Sequence, residues 1–195
     1  MINHQLQNYN LILASGSPRR QQFFEELGLD FEIRLKPVDE IYPDHLRHFE
    51  ISDYLAQLKA LPFRAELKDT DILITSDTIV WHNEIALGKP KSHQEAHDML
   101  ASMSATTHEV MTSVCFTTKT SQKTVHAVTK VTFKALSETE INYYIETFKP
   151  YDKAGAYGIQ EWIGQIGITN IEGSYTNVVG LPTHLVYKTL NSMAT

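Results

Sequence analysis

The segment from Tyr9 to Leu27 constrains this chain most, because it reads as a strand, a tight polar turn and a helix in immediate succession. Tyr9 to Ala14 carries an apolar Leu-Ile-Leu run of strand length. Ser17-Pro18 then places an N-cap residue before a proline at the first helical position, where the missing N–H is not needed. Phe23, Phe24 and Leu27 recur at helical spacing, and Gly28 stands where a glycine cap closes a helix. A turn placed like Ser15 to Arg20 turns backbone N–H groups and the positive end of the helix dipole toward an anion. Its serine hydroxyls add donors, and Arg19 and Arg20 offer forked, charge-assisted bonds that suit phosphate oxygens. A capped surface helix with two solvated arginines has the same local pattern, so the segment alone leaves both readings open.

Further along, Phe31 to Leu35 alternates like a half-buried strand, Lys36 to Glu50 reads as a charged, proline-containing loop, and Ile51 to Leu61 as a helix. Asp71 to Val80 is strand-like except at Ser76-Asp77-Thr78, which suggests a strand end whose polar residues face a cleft. Asn83 marks a turn before Ile85 to Leu87. Ser92-x-x-Glu95 and Ser137-x-x-Glu140 match the capping box and predict helices of about ten residues starting at each. Between them, Val110 to Thr117 and Thr124 to Phe133 are rich in β-branched residues and predict a hairpin around Lys119 to Lys123. A last helix runs from near Pro182 to Asn191. Alternating strands and helices followed by hairpins favour an α/β fold with a mixed sheet and flanking helices over an all-parallel one. The chain shows no repeat and no linker, so residues 1–195 are read as a single domain.

Composition excludes several partners. The net charge of -6 argues against a broad cationic surface for nucleic acid, although a local cluster of cations still suits a small phosphorylated ligand. No stretch approaches the ~20 apolar residues that span a bilayer, and the N-terminus lacks the pattern of an export signal. The single Cys115 lies in the apolar run Val114-Cys115-Phe116 and fits a reducing, cytoplasmic setting.

Four further features bear on chemistry. Asp77 follows an apolar strand, where a carboxylate can bind Mg²⁺ or orient water; an Asx-turn that merely ends the strand is the alternative. Gly88-Lys89-Pro90 lacks the earlier glycine and the hydroxyl residue of a Walker loop, but it fixes the backbone while leaving the ammonium of Lys89 free to point inward. In Asp152 to Gln160, glycines permit close approach, Lys153 can meet phosphate, and the Gln160 amide can read a base edge. His93 and His97 share a helix face, but the order His-Gln-Glu-Ala-His departs from the zinc-protease motif, and solvated histidines are the better reading.

Taken together, these segments resemble the Maf family of nucleotide pyrophosphatases from Leu11 to about Leu190. The resemblance rests on Leu13 to Arg20, Val38-Asp39-Glu40, Lys59-Ala60, Ser76-Asp77-Thr78, Gly88-Lys89-Pro90, Asp152 to Gln160 and Asn177 to Pro182, in family order. It implies cleavage of a nucleoside triphosphate to monophosphate and pyrophosphate, in a cleft between two lobes of a twisted mixed-sheet fold related to inosine triphosphatase. It makes Asp77 the proton acceptor, sets Glu40 beside it in catalysis or metal binding, and assigns Ser15, Arg19, Arg20, Lys59 and Lys89 to the triphosphate. It gives substrate selectivity to Arg19, Thr78 and Gln160, calls for Mg²⁺ or Mn²⁺ at Glu40 and Asp77, and carries an expectation of homodimers.

The Asp152 to Gln160 run resembles the branch acting on dTTP and UTP rather than the 7-methyl-GTP branch. Two departures stand out: Glu161 where glycine is common, and Ala105 where a glycine usually precedes Thr106-Thr107-His108. Glu161 is expected to add negative charge near the base site. The other readings are a nucleotide-binding regulator of cell division with little turnover, and an enzyme of the 7-methyl-GTP type. Asp77 is expected to be ionised at neutral pH, since neighbouring cations favour its carboxylate.

Overall fold

The computed structural model describes residues 2–194. In chain order the helices are α1 (Ile2–Gln5), α2 (Pro18–Glu26), α3 (Phe49–Ala60), α4 (His93–Met103), α5 (Glu138–Phe148), α6 (Trp162–Gly167), α7 (Tyr175–Val179) and α8 (Thr183–Met193). The strands are β1 (Asn10–Leu13), β2 (Phe31–Ile33), β3 (Asp71–His82), β4 (Ile85–Leu87), β5 (Thr107–Thr117), β6 (Gln122–Phe133) and β7 (Ile168–Glu172). They form a seven-stranded sheet in the order β2-β1-β3-β5-β6-β7, with β4 paired to β3. The sheet is mixed, as the sequence predicts: β1 is parallel to both β2 and β3, while β3–β4 and β6–β7 are antiparallel.

The chain forms two compact units, each assembled from separate stretches: Met1–Asp77, Thr112–Ala127 and Gly180–Thr195 in the first, Thr78–Met111 and Val128–Val179 in the second. In the first unit, one face of β1 and β3 (Leu11, Leu13, Ile72, Ile74) packs with Phe24 of α2 and with Val186 and Leu190 of α8. The alternate residues Ile12 and Leu73 meet Ala60, Phe63 and Leu67 on the opposite face, as the period of two requires. In the second unit, Leu100 and Met103 of α4 and Ile141, Tyr144 and Ile145 of α5 close over Val110, Val131 and Phe133.

Local signals fix most of these elements. The predicted capping box at Ser137 is complete: its hydroxyl accepts from Glu140 N, and the Glu140 carboxylate accepts from Ser137 N. At Ser92 only half of it forms, because the Glu95 carboxylate accepts from Lys91 N instead. Asn83 and Glu84, both at positive φ, make the two-residue turn of the β3–β4 hairpin. Ser17 occupies the N-cap position of α2 without a capping bond from its side chain.

One expectation fails. The strand does not end at Ser76-Asp77-Thr78 but runs unbroken through these residues to His82. Ser76 and Asp77 are buried rather than presented at a break. Backbone pairing in the sheet outweighs local polarity here; Lys59 pairs with the Asp77 carboxylate, while the buried Ser76 hydroxyl has no hydrogen-bond partner.

Candidate active site

In the first unit, α3 is pinned to β3 by Thr75, whose hydroxyl donates to the Ala56 carbonyl at 2.6 Å. Lys59 follows Ala56 by nearly one helical turn, and Asp77 follows Thr75 on the same face of the strand, so the pin brings the two side chains together. The Lys59 ammonium lies 2.5 Å from Asp77 Oδ1 and 3.1 Å from Glu40 Oε1. Glu40 reaches this ammonium from the exposed loop after β2.

Asp77 departs from the expected electrostatics. Burial raises its pKa above the ordinary carboxylate value, and the opposing pull of Lys59 and Arg20 does not cancel that rise. The cations near Asp77 are legible in the sequence, whereas its burial is not, because a polar triplet in a strand has the look of a strand end. A carboxylate so placed holds a proton more readily than a solvated aspartate, which suits a base.

The opening turn is tied to the same place. The Arg20 guanidinium donates to the Ser76 carbonyl and the Gly180 carbonyl, each at 2.9 Å, and to Ser15 Oγ at 3.4 Å. Ser15 Oγ also accepts from Ser17 N, and the Gln21 amide donates to Ser15 O. Burial lowers the proton affinity of Arg20 while Asp77 raises it, and Arg19 and Glu40 also act on its charge. Thus Ser15, Arg19, Arg20, Glu40, Lys59 and Asp77, separate in the sequence, belong to one charged neighbourhood. Arg20 spends much of its donor fork on backbone carbonyls, so it braces β3 and the turn before α8.

The remaining candidates lie in the second unit. Thr78 follows Asp77 directly in β3 and is half-buried, and Lys89 is exposed beyond β4. The Gly88 carbonyl accepts from Gly155 N at 3.0 Å, which joins the Gly88-Lys89-Pro90 segment to the Asp152 to Gln160 run. Gly155 has φ 68°, and a Cβ there would come within 2.9 Å of Val80 Cγ2, so only glycine allows this approach. Gln160 is exposed at the end of the run.

Lys153 does not extend into solvent toward a phosphate. It is buried, with its ammonium 2.7 Å from Asp152 Oδ1 and 3.1 Å from Glu161 Oε1. Glu161 also accepts a short hydrogen bond from Tyr144 Oη, so its carboxylate is paired and bonded within the unit. Tyr144 escaped the sequence reading. Its spacing with Ile141 and Ile145 marks the buried face of a helix, and a phenol there needs a polar partner. His97, read as solvated, pairs with Glu138 at 2.7 Å. No cluster of three or more His, Cys, Asp or Glu suited to a metal occurs among the described residues.

Glu40 and Asp77 nonetheless fit a hard divalent cation. Both supply oxygen donors, and their convergence on one ammonium shows that the place attracts positive charge. Magnesium commonly needs only one or two protein carboxylates, with water and substrate phosphates completing its shell.

Residues 10–193 match the family described as Maf-like protein. The chain belongs to the Maf family. A dTTP/UTP pyrophosphatase of Flavobacterium johnsoniae is 62% identical over 193 residues, which cover 99% of this chain and 100% of that one. Proteins of the same name from Christiangramia forsetii and Phocaeicola vulgatus are 57% and 47% identical, over 99% and 96% of this chain and 98% of each of theirs. Among solved structures, the Staphylococcus aureus Ham1 protein matches with a TM-score of 0.55 at 14% identity, over 94% of this chain and 99% of that one. That likeness bears on fold alone, and it agrees with the mixed α/β architecture of this Maf protein. No helix among the described residues is long and apolar enough to cross a membrane.

Proposed function

We propose that this chain hydrolyses UTP and dTTP to the monophosphate and pyrophosphate, acting as one Maf domain over its whole length. The observation that carries the chemistry is the buried Asp77 carboxylate, with its raised proton affinity, held 2.5 Å from Lys59. The choice of substrate is supported by relatives up to 62% identical over nearly the full chain that bear the name dTTP/UTP pyrophosphatase.

Asp77 accepts the proton of the attacking water, and Lys59 holds the carboxylate oriented and ionised for that step. Arg19, Lys59 and Lys89 neutralise charge on the triphosphate, with Ser15 as a hydroxyl donor and Arg20 as a brace that can still offer a guanidinium edge. Thr78, Arg19 and Gln160 select the nucleotide, Gln160 through the paired donor and acceptor of its amide. Glu40 and Asp77 would hold a magnesium or manganese ion, which when bound supplies further neutralisation of phosphate charge. Lys153 is committed to Asp152 and Glu161, so its contribution is to the shape of the Gln160 turn and not to phosphate binding.

Purified protein supplied with Mg²⁺ or Mn²⁺ should release pyrophosphate, and no orthophosphate, from UTP and dTTP. A panel that adds 7-methyl-GTP, CTP and GTP should show preference for UTP and dTTP. Orthophosphate as first product, or a preference for 7-methyl-GTP, would sink the reading.

A further inference from the structure

The proposed base-reading residue, Gln160, is exposed, yet the residues around it are unusually well tied. Gly158 N donates to Tyr144 Oη at 3.0 Å, Tyr144 Oη donates to Glu161, and Glu161 is paired with Lys153 at 3.1 Å. Tyr144 is fully buried in α5, whose N-terminus is fixed by its capping box. Burial and the Glu161 charge both disfavour ionisation of the Tyr144 phenol, so it keeps the proton that it donates. At Gly158, the place a Cβ would take lies 2.9 Å from the Glu161 carboxyl carbon and 3.1 Å from Gln160 Nε2. The Glu161 carboxylate and the Gln160 amide therefore pack against the same bare Cα. A side chain there would have to push both of these side-chain ends aside.

From this chain of contacts we propose that Glu161 and Tyr144 are positioning residues for Gln160, fixing the Gly158–Gln160 turn and so sharpening the choice of base. The inference rests on the proposed role of Gln160. Glu161 does not stand as the isolated charge that the sequence suggests, because its carboxylate pairs with Lys153, which it shares with Asp152, and accepts from Tyr144. It is the N-cap residue of α6, and its carbonyl accepts from Gly164 N and Gln165 N, so one residue ties the turn to two helices. A glycine at position 161 would keep the backbone bonds and lose the carboxylate that links Tyr144 to Lys153. The turn would then rely on fewer restraints, and an amide that must present donor and acceptor together loses selectivity when its backbone wanders.

The test uses three variants of the full chain, with kcat and KM measured for UTP, dTTP and CTP. Tyr144→Phe removes the phenol that serves Gly158 N and Glu161, and Glu161→Leu removes the acceptor. Each should raise KM for UTP about tenfold, leave kcat within about twofold, and reduce the preference for UTP over CTP. Glu161→Gln keeps an acceptor for Tyr144 and should restore both KM and preference to near the unmodified values. Amide exchange at Gly158 should quicken in Tyr144→Phe, which confirms loss of the tie in a folded protein. Faster exchange with unchanged KM and unchanged preference would overturn the inference alone. Equal loss of kcat for every nucleotide with constant preference would do the same, since it would mark general damage. Absence of turnover by the unmodified chain would remove the proposed function and this inference together.

Discussion

Each unit holds one lysine between two carboxylates, and the two clusters differ in which charge is buried. In the first unit the buried member is a carboxylate: the Asp77 side chain is 8% exposed, on a central strand, while Lys59 reaches it from a helix and Glu40 from a loop. In the second the buried member is the cation: the Lys153 side chain is 9% exposed, with Glu161 and the largely exposed Asp152 around it. Burial raises the proton affinity of Asp77, which is what the proposed role as a base asks of an ion-paired carboxylate. The same number of charges in the second unit ends in a hydrogen bond from Tyr144 to Glu161. A lysine with two carboxylates is therefore not by itself a sign of chemistry; the burial of the group that must exchange a proton is what distinguishes these two.

Replacing the buried carboxylate should give the largest effect. Asp77→Asn keeps the size of the side chain and leaves Lys59 paired with Glu40, so the fold should survive by circular dichroism and thermal melting. Turnover should fall by about 10³-fold, within the range of a lost general base. Lys153→Met, the corresponding change in the second unit, should instead lower the melting temperature, because Glu161 is left partly buried without its cation. Undiminished turnover in Asp77→Asn would erase the contrast.

Removing the other half of the first pair sharpens it through pH. Lys59 is the strongest influence opposing the upward shift of Asp77, so Lys59→Met should raise the Asp77 pKa further. A base works when deprotonated, so activity is lost as pH falls through its pKa; the acid limb of the kcat/KM profile should therefore move to higher pH in the variant. Loss of a cation near the phosphates should also lower kcat/KM by about 10²-fold on the plateau. Glu40 raises the Asp77 pKa, and Glu40→Gln should move the acid limb the other way. Matching limbs in all three proteins would assign the titration to a different group.

Legibility in the sequence followed the range of the forces involved. The strand, turn and helix from Asn10 to Glu26, the half box at Ser92, the full box at Ser137 and the hairpin after Thr107 all carry their signals within a few residues. The short α6, β7 and α7 were not read, because segments of five or six residues have little propensity of their own and depend on contacts such as Asn177 Nδ2 with the Val110 carbonyl and Thr129 Oγ1. Site residues could be named from their motifs, but their partners could not. Nothing near Arg20 points to Gly180, and nothing near Lys59 points to Asp77, because tertiary packing makes both pairs. The ion pair of Lys153 is hidden for the same reason: its partner Glu161 stands in the sequence as an isolated departure from a pattern.

The two units should also differ in how acid harms them. In the second, burial and the neighbouring His82 push the His108 imidazolium down to about 3, from an ordinary value of 6.5. His108 Nε2 lies 2.7 Å from Tyr157 Oη, and Nδ1 has no hydrogen-bond partner, so nothing there welcomes a second proton. Between those two values the unfolded chain binds the extra proton. Stability is thus complete above pH 6.5 and lost as pH falls toward 3, with a slope of up to about 1.4 kcal/mol per pH unit. At pH 5 the loss is about 2 kcal/mol, which for a chain of this size lowers Tm by roughly 5 °C. His108→Gln should melt lower than the unmodified chain at pH 7.5 for want of the ring's packing, yet its further fall on going to pH 5 should be smaller by about that amount. Loss of rate through protonation of Asp77 needs no unfolding, so it should appear well below Tm and survive in His108→Gln. If both proteins lost the same Tm between pH 7.5 and 5, the acid sensitivity of the fold would have to lie elsewhere than His108.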